Sequence, residues 1–400
     1  MIDMNSEEVR QNPYTAYDEV RRAGSAVYDS KRSMWYAGRY NDVSEILRNH
    51  KCFSNRETGF ESTLHGADGA LHTHTRNIVQ PAFTAERVCE LGTAIRSLVD
   101  ELVACIAEQD ECELIEDLAA RIPAAVVAWL LGIDDTRRED IRRWSSAIVR
   151  GGTTRRKVKN YHWPMTILPG SFRRLIDKKH TDTVSEIAEC ESFLIDHFNR
   201  ASQQPNGSWL TDLLVSHRNS GQLTTEELLD IGLLLIVAGN ETTTDLIGNA
   251  TLLLANDLHI QEYIRNKPHL VEPFIEEVLR YDSPVQRRLR IATRPVKIGD
   301  VTITTGSRVE VLIGSANRDP DIFPDANQFR FDRQPNRHLA FGAGSHFCLG
   351  AQFARLESCA ALGAMIRKLP TLTLARPGEN IEYPDAFSLR GPRQLYIKFG

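Results

Sequence analysis

The stretch Phe341-Gly-Ala-Gly-Ser-His-Phe-Cys-Leu-Gly350 constrains this 400-residue chain more than any other. Cys348 stands between Gly344 and Gly350, just ahead of a run from Leu349 to Leu369 whose apolar spacing predicts a long amphipathic helix. A sulfur at a helix N-terminus meets unpaired backbone N–H groups and the positive end of the helix dipole, which favour thiolate over thiol. A thiolate serves as a nucleophile or as a metal ligand. Glycines before and after it let the backbone pass close to something flat and wide, which suits a ligand to a planar cofactor. An inert buried cysteine in a glycine-rich loop is the plainer alternative.

Composition fits that picture without deciding it. With 42% hydrophobic and 25% charged residues the chain can bury a sizeable core, and a net charge of -5 is too small to imply nucleic acid or a membrane as a general partner. The N-terminus, Met1 to Arg10, is polar and acidic, and no apolar run approaches the roughly 18 residues of a membrane span. A soluble, cytoplasmic protein is expected. Seven cysteines without a CxxC suit a reducing compartment.

The pattern along the chain is mainly helical. Ala26-Val-Tyr-Asp and Met34-Trp-Tyr-Ala-Gly read as a strand hairpin, and Asn41 to Leu47 as a capped helix. Residues 51 to 71 read as a loop, and Thr84 to Phe198 as mostly helical apart from a basic, Pro-containing surface segment between Arg150 and His180. Gln222 to Asn256 reads as the longest helix, opening with the capping box Thr224-Thr-Glu-Glu and apolar all round from Ile231 to Val237. Val271 to Tyr281 is a further helix, while Ile291 to Val311 and Thr371 to Phe399 alternate like strands. No βαβ alternation and no linker appear, so a single domain over residues 1–400 is expected.

Two helical segments carry unusual residues. Ala238-Gly-Asn-Glu-Thr-Thr-Thr244 interrupts a leucine-rich helix, and Gly239 costs about 1 kcal/mol against alanine there, which points to a close approach or a groove. Glu241 and Thr242 could then face that groove and hold water; a solvent-facing glutamate beside back-bonded threonines is the alternative. In Ile275-Glu-Glu-Val-Leu-Arg280, Glu277 and Arg280 are three apart on one face and able to pair.

Taken together, the cysteine loop, the Glu-x-x-Arg helix and the acid-alcohol pair, in this order and spacing, resemble the cytochrome P450 superfamily over nearly the whole chain from Asn12 to Phe399. The resemblance implies a mainly α fold with small β-sheets, a triangular helical prism with haem b between the central helix and the cysteine-ligand helix. It implies Cys348 as the proximal iron ligand, which favours O–O cleavage, and Glu241 with Thr242 as proton relay. Ala238, Gly239, Phe341, Gly344 and Gly350 would border the haem. Its propionates, which need cations or donors when partly buried, would meet His72, Arg76, Arg290 and His346, with His74 and Arg288 as near alternatives. Arg333 would join Glu277 and Arg280 in a structural network, Arg337 being the other candidate.

The activity implied is a monooxygenase of a small molecule, in secondary metabolism or fatty-acid-like, using O2 and two electrons from a ferredoxin or flavodoxin with its reductase. Oxidative coupling or desaturation of a small or carrier-tethered substrate uses the same residues, and a non-enzymatic haem sensor is a distant third reading. Arg76, Arg87 and Arg355 are candidates to attract an acidic redox partner. Pocket candidates are Leu234, Val285, Gln286, Arg287, Arg288 and Phe387. Arginines at 287 and 288 are odd where a pocket is usually apolar, and one of them could bind a substrate carboxylate or phosphate.

Overall fold

The capping box at Thr224 forms as its residues dictate. Thr224 Oγ1 accepts from the Glu227 N–H at 3.1 Å, Glu227 Oε2 accepts from the Thr224 N–H at 2.8 Å, and the helix Thr225–Ala255 follows. The computed structural model describes residues 3–56, 64–151, 170–205, 207–384 and 387–400. That helix has 31 residues, but Gly170–Gln203 has 34 and is the longest, a correction to the sequence reading. Most of the basic segment, residues 152–169, lies outside the described residues, as do 57–63 of the expected loop.

The chain folds into two compact units, one of residues 1–55, 83–123 and 242–400, the other of 56–82 and 124–241. In the first, the expected hairpin Val27–Asp29 and Met34–Ala37 joins a five-stranded sheet with Arg308–Leu312, Arg287–Ala292 and Phe53–Ser54. Met34–Ala37 pairs with Arg308–Leu312 in parallel, and Phe53–Ser54 is a strand within the stretch read as loop. Phe53, Ile298, Ile303, Val309 and Val311 form the core beneath this sheet, together with Leu47 of the helix Tyr40–Arg48. That helix is present as expected, but its N-cap is Arg39 and no side chain caps it.

The helix Ala351–Lys368 packs on Ala85–Ala107 and Val271–Tyr281. Only Gln352, Arg367 and Lys368 of its residues are exposed, so it is a core helix and not the amphipathic one its sequence suggests. Among its described residues the C-terminal tail is strand at Leu372–Leu374 and Tyr396–Phe399, which pair with each other.

The second unit is helical. Ser208 Oγ donates to Leu130 O at 2.7 Å, and Thr211 Oγ1 and His197 Nε2 donate to Leu131 O at 2.6 and 2.8 Å. These bonds satisfy carbonyls at the end of the helix Arg121–Leu131, which has no internal donors left for them. Trp144, fully buried on the helix Arg138–Gly151, packs on Phe193 at 5.0 Å, and Arg143 forks onto Glu189 with two 2.7 Å bonds.

Candidate haem-thiolate site

The cysteine loop is held by its own backbone. The Cys348 N–H donates to Phe341 O at 2.9 Å and Phe347 N–H to Gly344 O at 3.1 Å, closing the loop around a short 3-10 turn at Gly344–His346. Gly344 has φ +75°, and a Cβ there would lie 2.9 Å from Arg48 Cα, so both conformation and space require glycine. Cys348 emerges exposed three residues before Ala351, with Gly350 as the N-cap of the helix.

Two ionic clusters buttress this loop. Glu277 and Arg280 are fully buried and joined by bonds of 2.7 and 2.8 Å. Arg280 also donates to the carbonyls of Asn317, Ala326 and Gln328 at 2.9, 2.8 and 3.0 Å. Glu277 accepts further from the Arg330 N–H at 2.8 Å, Asn336 Nδ2 at 3.1 Å and Arg333 Nε at 3.4 Å. Arg333, not Arg337, therefore stands at the pair; the carbonyl of Arg337 is taken by Tyr40 Oη at 2.7 Å.

The second cluster escaped the sequence reading. Glu276 accepts from Arg355 at 2.6 and 3.0 Å and from His338 at 3.1 Å, and the Arg355 guanidinium lies 4.5 Å from the Phe341 ring centre. Burial alone would raise the Glu276 carboxyl, but the bonds from His338 and Arg355 outweigh it and hold its pKa at about 2. The signal was there as a second glutamate beside Glu277, but its partner is 79 residues away.

On the strand Arg287–Ala292 the two odd arginines diverge. Arg287 is buried, donates to Tyr17 Oη at 3.2 Å and Asn5 Oδ1 at 3.3 Å, lies 3.7 Å from Glu310, and has the rings of Tyr17 and Phe387 at 5.7 and 5.5 Å. It is an interior residue, which corrects its place among the pocket candidates and gives Phe387 a packing role beside it. Gln286 turns inward too: its amide donates to Ser283 O at 2.8 Å, and a Cβ on Gly314 would collide with it at 2.0 Å. Val285 is half-buried against the sheet core and bridges Leu389. Arg288 lies on the opposite face with Arg290, whose Nη1 donates to Leu289 O at 2.8 Å.

In the second unit, His72 is buried and Arg76 half-buried on the helix Gly69–Val79, with His74 exposed and Nε2 at 2.9 Å from Gln222 O. Ala238 is exposed and Leu234 half-buried. A Cβ on Gly239 would lie 2.9 Å from Val127 Cγ2, so this glycine serves the close approach its position suggested. Ser146 Oγ donates to Glu241 Oε1 at 2.7 Å, a partner no sequence signal indicated. Thr242, where the chain passes back into the first unit, is half-buried.

The profile of the cytochrome P450 family matches residues 8–399. The chain is a cytochrome P450. It is 34% identical to Cytochrome P450 109 of Bacillus spizizenii over 402 aligned positions, covering 100% of this chain and 94% of the relative. Among solved structures it is similar to CYP109E1 from Bacillus megaterium in complex with testosterone, at 30% identity and TM-score 0.86 over 98% of this chain and 99% of the other. P450BioI in complex with hexadec-9Z-enoic acid ligated acyl carrier protein matches at 27% identity and TM-score 0.85, with the same coverages.

Membership in the P450 family implies a haem-thiolate cofactor, and the residues present fit one. The P450 cysteine is exposed in a loop of two left-handed glycines, and a Cβ built on Gly350, two residues on, meets no atom within 4 Å. A soft thiolate suits iron, and Arg290 and His346 supply donors in the same unit. Two of the docking arginines expected on the cysteine side are charge-paired, Arg355 with Glu276 and Arg87 with Glu90 at 2.7 Å, which removes most of their pull on an acidic partner. Among the described residues no helix is long and apolar enough to cross a membrane.

Proposed function

We propose that this cytochrome P450 hydroxylates a small organic molecule, with O2 as oxidant and two electrons delivered by a ferredoxin or flavodoxin and its reductase. The exposed Cys348 in its glycine-framed loop carries this reading. Its thiolate would hold the iron, and Arg290 and His346 of the same unit would donate to the propionates. Haem, when bound, supplies the oxygen chemistry, by which two electrons and two protons yield water and one inserted oxygen atom. Glu241, held by Ser146, passes protons towards Thr242. The ligands named for similar structures, a steroid and a carrier-bound fatty acyl chain, suggest an apolar skeleton of moderate size and a role in secondary metabolism.

The reduced, CO-bound absorption spectrum tests the first step: Cys348→Ser should lose the thiolate-specific band seen in the parent. Oxygen-18 in the product separates hydroxylation from coupling or desaturation. Glu241→Gln and Thr242→Ala should divert electrons to peroxide; unchanged peroxide yield in both would remove them from the relay.

A further inference from the structure

Arg288 and Arg287 are neighbours in sequence with opposite surroundings. The face carrying Arg287 saturates it with Tyr17, Asn5 and Glu310. Arg288 is half-buried and makes no hydrogen bond or ion pair among the described residues. Its ladder partner Val311 shares a buried cluster with Ala343 of the cysteine loop, so the strand segment that carries Arg288 lies beside that loop, and the charge of Cys348 bears on its guanidinium. The strand is rigid at this point, since Arg288 pairs with Val311 in the antiparallel ladder to Arg308–Leu312.

A guanidinium stays charged at any physiological pH and carries five N–H donors. Half withdrawn from water with no acceptor among the described residues, it is an anion site on a fixed support. With Arg290 and His346 proposed for the propionates, Arg288 is a further cation of the same unit. One isolated cation matches a monoanion such as a carboxylate better than a dianionic phosphate, and its planar fork fits both carboxylate oxygens.

We propose that Arg288 binds the carboxylate of the substrate, so that this enzyme acts on organic acids whose apolar skeleton reaches the haem. The proposal rests on the haem-thiolate reading above and narrows its substrate class.

Calorimetric titration of the haem-loaded protein with decanoic, hexadecanoic and indole-acetic acid, each beside its methyl ester, provides the test. At least one acid should bind about ten- to a hundredfold tighter than its ester, the scale of a charge-assisted bidentate contact. Arg288→Ala should erase that preference by weakening the acid alone, and Arg288→Lys should keep part of it. Haem content and the ferric Soret band are recorded for each variant. Acids that bind no tighter than their esters, or not at all, overturn the proposal. So does an Arg288→Ala protein that loses haem while its acid preference persists, which would return the arginine to a propionate. A parent lacking the thiolate band fails the haem-thiolate reading, yet the calorimetric acid-to-ester ratio still decides Arg288.

Discussion

The surroundings of Glu277 and the Arg288 face of the neighbouring strand handle charge in opposite ways. Around Glu277 every charged group is closed upon the chain: Arg280, Arg333, Asn336 and a backbone N–H surround one carboxylate, and Arg280 spends its remaining donors on three carbonyls. On the other face a guanidinium is left to find its acceptor outside the described chain. Closed charges make structure, because removing one member strands the others. Open charges make recognition, because their partner arrives with the ligand.

The strongest way to break this contrast is to open the closed side. Arg280→Ala leaves a fully buried Glu277 without its main counter-ion, and the loss should be about 3–5 kcal/mol of stability. Chemical denaturation of the haem-loaded protein checks it, and a loss under about 1 kcal/mol would mean the pair is not the keystone its bonds suggest.

Next in size is Glu276. Its pKa is depressed from 4.5 to about 2, so its contribution is fully present above the unfolded value and lost as pH falls from 4.5 through about 2. At about 1.36 kcal/mol per pKa unit that shift is worth about 3.4 kcal/mol, which solvent screening of a partly exposed carboxylate reduces to roughly 2–3 kcal/mol at neutral pH. Glu276→Gln should be less stable by that amount at pH 7 and equal to the parent near pH 2. Parallel stability curves across this range would show that His338 and Arg355 do not favour the ionised form.

Arg287 and Arg288 sharpen the comparison within a single dipeptide. Arg287→Ala strips Glu310 and Tyr17 of a buried partner and should cost about 2 kcal/mol. Arg288→Ala removes no contact with the described chain and should stay within about 0.5 kcal/mol. Equal losses in paired thermal melts would mean that Arg288 too is a structural residue.

What the sequence disclosed about these regions follows from distance along the chain. The cysteine loop, the Thr224 capping box, the Val27–Asp29 hairpin and the Glu277–Arg280 pair are settled by residues a few positions apart, and all were legible. The parallel pairing of Met34–Ala37 with Arg308–Leu312 joins segments far apart and left no local mark. Strand alternation dictated that Arg287 and Arg288 part ways, but only Tyr17, Asn5 and Glu310 decide which one turns inward. The choice between Arg333 and Arg337 and the bonding of Glu276 to Arg355 likewise depend on how distant loops return to the Val271–Tyr281 helix. Ser146 beside Glu241 is of the same kind, a contact between two helices that no pattern announces.

The smallest expected effect concerns a group that belongs to neither side of the contrast. Glu357 lies fully buried in the cysteine helix, its Oε2 has no hydrogen-bond partner, and burial alone raises its pKa well above 4.5. A raised carboxyl is protonated in the folded state. Below pH 4.5 folded and unfolded chains both hold the proton and nothing is lost; above it the unfolded chain ionises first, so stability declines as pH rises towards the folded value. Glu357→Gln keeps the shape and a donor without the titration, so the variant should match the parent at pH 4 and exceed it by about 1 kcal/mol, the scale of one unsatisfied buried polar group, at pH 8. Denaturant midpoints at the two pH values measure it. A variant less stable than the parent at pH 8 would mean that the carboxylate is ionised in the folded protein and has a partner, placing Glu357 with Glu277 among the closed charges.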